Sequence, residues 1–183
     1  MVDIANVNHS AARFDFAKLG WLNQHYLKES DPRELGKELA WHLERLGLDV
    51  SKGPNPEEVV IALRERVQTL KAMAEQARIW YAPIEAWDDK AVKKHLQAED
   101  AAEVLRAMHA KLAALSTWKS ADIHAMVAEV AAERGIGMGK VAQPLRVAMT
   151  GTAVSPSIED TVYLAGRDIA LQRIDDALAR ASQ

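Results

Sequence analysis

Residues 135–151 read GIGMGKVAQPLRVAMTG. Three glycines alternate up to Lys140, as they would in a loop that cradles a phosphate. A Walker loop needs a glycine, four residues and then Gly-Lys-Ser/Thr, placed between a strand and a helix. Counting back from Gly139-Lys140, the first glycine should occupy position 134, which is Arg134. The hydroxyl that would hold magnesium should be residue 141, which is Val141. The segment before the glycines, MVAEVAAERG, has a helical pattern and not that of a strand. The phosphate-loop reading therefore fails on three counts. Gly135 instead suits the left-handed conformation that ends a helix. Gly137 and Gly139 are expected to shape a tight connection, and Gln143-Pro144-Leu145-Arg146 a turn into the next apolar segment.

The rest of the chain extends this helical reading in both directions. Residues 1–15 read as irregular. FDFAKLGWLNQHYLKES follows, with Phe16, Leu19, Leu22, Tyr26 and Leu27 at helical spacing. Asp31-Pro32 reads as an N-cap with proline in the first turn, opening a helix striped by Leu35, Leu39, Leu43 and Leu46 and stopped by Gly47. Asn55-Pro56 repeats the start signal. A single long helix is expected from there to Trp80, with Val60, Leu63, Val67, Leu70, Met73 and Ala77 on one face.

WYAPIEAWDDKAVKKHL breaks the pattern with Pro83, two tryptophans and the pair Asp88-Asp89, which reads as solvated or helix-capping. Downstream lie AEDAAEVLRAMHAKLAAL, SADIHAMVAEVAAERG, and three further helical segments. Alternating runs of strand type are missing, as are repeats and low-complexity tracts. The expectation is an all-α chain: residues 1–30 as a lead-in, then helical subdomains over 31–84 and 85–183.

Composition agrees. The 183 residues are 49% hydrophobic, with 9 glycines and 6 prolines, a balance that favours helices. Cysteine is absent, which removes disulfides, thiolate metal sites and a cysteine nucleophile. No apolar run approaches the roughly 18 residues of a membrane helix, and the first ten residues do not resemble a signal peptide. A soluble cytoplasmic protein is the simplest expectation. The net charge of −3 is not the footprint of a non-specific nucleic-acid binder, so any such binding must use a local patch and base contacts.

Few residues suggest chemistry. The six histidines, His9, His25, His42, His95, His109 and His124, show no metal-ligand spacing. No nucleophile elbow or carboxylate dyad occurs. The basic residues fall in groups: Arg64, Arg66 and Lys71; Lys90, Lys93 and Lys94; Lys140 and Arg146. Solvated helix faces account for most of them without any function.

Taken together, RFDFAKLGWLNQHYLK (13–28), RERVQTLKAMAEQA (64–77) and GKVAQPLRVAMTG with VSPSIEDTVYLAGRD (139–168) resemble the C-terminal portion of bacterial glutamyl-tRNA synthetases. The resemblance runs from about Val2 to Ala181. It implies the tail of a stem-contact region over residues 1–30 and an all-helical anticodon-binding cage beyond. The family's catalytic signatures, of His-Ile-Gly-His and Lys-Met-Ser-Lys-Ser type, do not occur in this sequence. The chain is therefore expected to lack a catalytic site and a cofactor of its own, with ATP and Mg belonging to a catalytic domain elsewhere. The implied partner is the anticodon arm of glutamate tRNA, bound by a monomer with no DNA or membrane role.

Residue by residue, Arg66 matches the position that reads the third anticodon base. Arginine there implies the glutamate-only kind, since glutamine marks relatives that also charge glutamine tRNA. Arg146 matches an anticodon-contacting arginine, and Ser155, Pro156 and Ile158 a base-contacting loop. A guanidinium suits base edges and stacking, and proline and isoleucine offer rigid apolar surface. Competing with this, Ile158 reads as core and Ser155 as the cap of a helix beginning at Pro156. A helical protein-interaction scaffold without RNA contacts, favoured by the acidic balance, is the alternative function.

Overall fold

The computed structural model describes residues 16–181, with side chains from Lys18 onward. The expectations for residues 1–15 and for the Phe16 side chain lie outside the described residues. All regular structure in the described residues is helical: α1 (Phe16–Glu29), α2 (Pro32–Arg45), α3 (Pro56–Leu63), α4 (Leu70–Tyr81), α5 (Asp89–Ala91), α6 (Ala101–Ala114), α7 (Ser120–Arg134), α8 (Met138–Thr150), α9 (Ile158–Ala165) and α10 (Arg167–Ala181). A short 3₁₀ turn occupies Val50–Lys52, and α5 runs on into a π-turn over Val92–Leu96.

The helix starts follow from local chemistry. The Asp31 carboxylate accepts from the Arg33 N–H at 2.9 Å, and the Asn55 side chain from Glu57 N–H at 3.1 Å. In each case the proline that follows supplies a preset φ at a position where no N–H is needed. Asp88 caps α5 in the same way, accepting from Lys90 N–H at 2.8 Å.

Two hydrophobic clusters form. One joins Leu27 of α1 to α2, α3 and α4 through Leu39, Leu43, Leu63 and Met73; the other joins α6 to α10 with the π-turn. Burying each such side chain contributes about 1.5–3 kcal/mol. Polar bonds tie the clusters together. The Trp80 indole N–H donates to the Thr161 carbonyl at 3.0 Å, and the Tyr163 hydroxyl donates to Glu58 at 2.7 Å. Arg173, 8% exposed, donates to the carbonyls of Met149 and Ile79 at 2.6 Å each and of Ala82 at 3.1 Å. Gly151 sits at the same seam with φ +73°, and a Cβ there would lie 2.7 Å from the Ala86 carbonyl oxygen. That close approach lets Asp88 N–H donate to the Gly151 carbonyl at 2.9 Å.

Three expectations are corrected. The long helix from Pro56 to Trp80 is two helices, α3 and α4, with a turn between them. Thr69 is extended at φ −144°, ψ 151°, and its hydroxyl accepts from Ala72 N–H at 3.1 Å, restarting the helix. The apolar spacing persists across this break because Val67 stays buried within the turn. Second, Gly139 and Gln143–Arg146 are not a connection and a turn but part of α8, with Pro144 inside it. Pro144 has no N–H for the carbonyl four residues back, but the residue is buried and the helix continues through it. Gly137 does precede the helix as its N-cap, and Gly135 ends α7 at φ +63°. Third, the α1 stripe is largely open: Leu19, Leu22 and Tyr26 are exposed, and only Leu27 among its described members is buried.

Candidate nucleic-acid interface

The break between α3 and α4 is what positions Arg66. Its N–H donates to the Leu63 carbonyl at 2.8 Å, ending α3, and its side chain is exposed. The turn is held from α1: Arg64 donates to the Lys28 carbonyl at 3.3 Å, Gln24 to the Glu65 carbonyl at 3.3 Å, and Lys28 pairs with Glu65 at 2.5 Å. With its neighbours committed in this way, Arg66 carries the outward charge of the turn.

Arg146 comes from the middle of α8 and is half-buried. Its Nε donates to the Ser155 hydroxyl at 2.8 Å, and that hydroxyl donates onward to the Pro156 carbonyl at 2.8 Å. The 150–157 loop is braced beneath it: Thr150 donates to the Arg146 carbonyl at 2.9 Å and accepts from Thr152 N–H at 3.2 Å. The guanidinium is thus held by one edge.

The fold brings the two arginines within electrostatic reach of one another. Burial lowers the Arg146 pKa from its ordinary value, the Arg66 charge pushes the same way, and Glu159 opposes it. The like charge of Arg66 disfavours the charged form of Arg146, and an anionic partner would relieve that. His95, from the π-turn, belongs to the same neighbourhood. Burial lowers its pKa, and the charges of Lys94 and Arg146 lower it further.

The loop residues divide. Ser155 sits beside Arg146 and does not cap a helix; that role belongs to Ser157, whose hydroxyl accepts from Asp160 N–H at 3.2 Å at the start of α9. Pro156 is buried, and Ile158 is 6% exposed within the second cluster. Both lie under the loop, so the apolar surface expected of them is not on the outside. Val154 presents it instead, 80% exposed at the loop's tip. A lone valine between small residues carried no helical or strand period to mark it.

The basic groups also rearrange. Arg64, Arg66 and Lys71 are split by the turn, while Lys94 of the π-turn and Lys140 of α8 line one cleft. Among the described residues no group of three His, Asp or Glu side chains is placed to hold a metal, and no helix is long and apolar enough to cross a membrane.

With this geometry in hand, comparison with known proteins is informative. The anticodon binding domain family matches residues 25–178. The glutamate–tRNA ligase of Xylella fastidiosa (strain 9a5c) is 56% identical over 182 residues, covering 100% of this chain and 39% of the relative. That of Xanthomonas campestris pv. campestris (strain B100) is 55% identical over 181 residues, covering 98% of this chain and 38% of its own. A crystal structure of a glutamate tRNA ligase from Elizabethkingia meningosepticum superposes with a TM-score of 0.81 at 26% identity, over 97% of this chain and 35% of that one. The chain spans about two fifths of the length of the curated relatives it matches. Helical architecture, extent of match and sequence identity agree: the chain belongs to the anticodon-binding domain family.

Proposed function

We propose that the chain reads the anticodon of glutamate tRNA on behalf of a glutamate–tRNA ligase whose catalytic chemistry resides in a separate domain. The observation that carries this is Arg146 held on edge by the Ser155 hydroxyl at 2.8 Å, within reach of the charge of the exposed Arg66. A planar donor fixed along one edge keeps its remaining N–H groups free for a base or phosphate. Sequence-specific RNA recognition targets unpaired, splayed bases such as those of an anticodon loop. Val154 offers apolar contact beside them.

In this reading the chain acts as a cytoplasmic monomer with no cofactor of its own. ATP and Mg serve the catalytic domain, and arginine at position 66 favours glutamate over glutamine tRNA. Support comes from the relatives' shared name and from the placement of the two arginines. Binding by the isolated chain should be weak, because the contacts to the acceptor end are missing and linked sites gain from effective concentration. It should weaken with salt at a slope near −0.7 per neutralised phosphate.

The test is titration of a glutamate tRNA anticodon stem-loop against the chain at fixed salt, beside stem-loops with scrambled anticodons. Preference for the intact anticodon supports the reading; equal affinity for all overturns it.

A further inference from the structure

The C-terminal end of α2 and the start of α4 share a cleft of about 330 Å³, within the range of small-ligand sites. Trp41, His42, Arg45 and Leu46 line it from one side, and Lys71 and Ala74 from the other. Trp41 is 53% exposed, so its large ring is not spent on the core. The ring is nonetheless fixed. The Arg45 guanidinium lies over it, 4.7 Å from the centroid, and the His42 ring meets it in a T-shaped contact at 4.9 Å. A cation over an indole face is attracted to it, which places the guanidinium as well.

The charges identify what the cleft suits. No carboxylate lines it; Glu38, Glu44 and Glu75, the nearest acids along the two helices, are not among its walls. Neither Arg45 nor Lys71 forms an ion pair among the described residues. Arg45 has a local reason for its place, since a cation in the last turn complements the α2 dipole. Lys71 has none. It sits in the first turn of α4, at the positive end of that dipole, and no acidic residue shares the turn. Its charge works against its own helix, and an anion in the cleft would relieve it.

We infer that this cleft binds one unpaired nucleotide of an RNA, its phosphate against Arg45 and Lys71 and its base stacked on Trp41. A bare phosphate would make no use of the indole, and an apolar ligand none of the two cations. A nucleotide carries a charge and a flat ring in one unit. Every base has a π-face, so this contact adds affinity without choosing a base. It rests on the anticodon-reading role proposed above. Lys71 follows Arg66 by five residues, which keeps the two within about 18 Å of one another.

The full chain is titrated at several salt concentrations with the glutamate tRNA anticodon stem-loop, the same stem-loop with a scrambled anticodon, and a short oligouridine. Trp41→Ala, Trp41→Phe, Lys71→Gln and the double variant Arg45→Gln with Lys71→Gln are compared with wild type, and each is melted. Trp41→Ala should lose about tenfold in affinity for every RNA, with the ratio between the two stem-loops unchanged. Trp41→Phe keeps a stacking ring and should lose much less. The double variant should make the salt slope shallower by about 0.7, the share of one phosphate on a single strand. Trp41→Ala should leave that slope alone. Lys71→Gln should hold or raise the melting temperature, because a cation leaves the positive end of α4. Both charged side chains are exposed, so the double variant tests the cleft even if Trp41→Ala disturbs the fold.

Wild-type affinity of Trp41→Ala for every RNA, with the preference for the intact anticodon retained, would overturn this contact and leave the anticodon reading standing. An unchanged salt slope in the double variant would overturn it too. So would displacement of oligouridine by an oligoglutamate as readily as by RNA, which would make the cleft a site for an acidic protein segment. If wild type distinguishes no anticodon while Trp41→Ala still loses affinity for every RNA, the anticodon reading falls and the cleft stands as a sequence-independent RNA contact.

Discussion

The Arg146 Nε donates to the Ser155 hydroxyl at 2.8 Å, so a residue from the middle of α8 is oriented by the loop that follows it. Ser155→Ala removes that hold. The cost to stability should be about 1.5–3 kcal/mol, the range for a bond to a charged group, while affinity for the anticodon stem-loop should fall several-fold as the guanidinium loses its fixed plane. Parallel thermal melts and titrations check this. Unchanged binding would mean that Arg146 orients itself without Ser155.

Arg66→Gln should relax discrimination at the third anticodon base. The side chain is exposed, so stability should change little. Direct base contacts are worth roughly 1–3 kcal/mol in DNA readout, a scale borrowed here for RNA. Stem-loops differing only at the third anticodon position provide the measurement. An unchanged ratio between them would leave Arg66 as a surface charge.

Leu63→Ala should cost about 2–5 kcal/mol, since Leu63 is fully buried in the first cluster. Leu70→Ala should cost much less, roughly 1 kcal/mol by the same cavity argument, because Leu70 opens α4 and is only partly buried. Urea melts of the two variants test the placement of the α3–α4 break. Equal losses would favour one continuous helix through residue 70.

Arg173→Met should destabilise by roughly 3 kcal/mol or more, because three carbonyls lose a charged donor at a buried seam. Met149 belongs to one helical cluster, whereas Ile79 and Ala82 adjoin the other. The loss should therefore appear as reduced cooperativity between the clusters, visible as a broader unfolding transition. A sharp transition at the wild-type midpoint would show that the seam does not need this residue.

His95 carries the pH dependence that the site predicts. Burial, with the charges of Lys94 and Arg146, holds its folded pKa below the ordinary 6.5. As pH falls through 6.5 the unfolded chain takes up the proton first, so folded stability declines until the depressed folded value is passed. His95→Gln should flatten that part of the curve. Stability measured from about pH 7.5 to about pH 5 compares the two proteins, spanning the usual histidine range. Parallel curves would mean that His95 titrates alike in both states.

Much of this was legible in the chain alone. Asp31-Pro32 and Asn55-Pro56 announced helix starts, and Gly135 a helix end, because capping is a matter of a few adjacent groups. Motif resemblance singled out Arg66, Arg146, Ser155, Pro156 and Ile158, of which Arg146 and Ser155 are hydrogen-bonded to one another. What local pattern could not separate was one amphipathic helix from two. Apolar residues at 60, 63, 67, 70 and 73 satisfy a single 3.6-residue period, yet the chain turns between 63 and 70. The turn pays for its lost helical bonds through the Thr69 cap, the buried Val67 and the hold from α1.

Pro144 misled in the opposite sense, since a proline argues against a helix interior until its neighbours bury its ring. Likewise Pro156 and Ile158 look like contact surface in a motif and become core once α9 packs on α7 and α8. Composition, capping and motif are properties of neighbouring residues, so the sequence by itself determined an all-helical chain. Whether Arg146 feels the charge of Arg66 and whether Val154 or Ile158 faces outward depend on residues tens of positions apart. Only packing brings those together, because burial and Coulomb interaction act through distance in space and not along the chain.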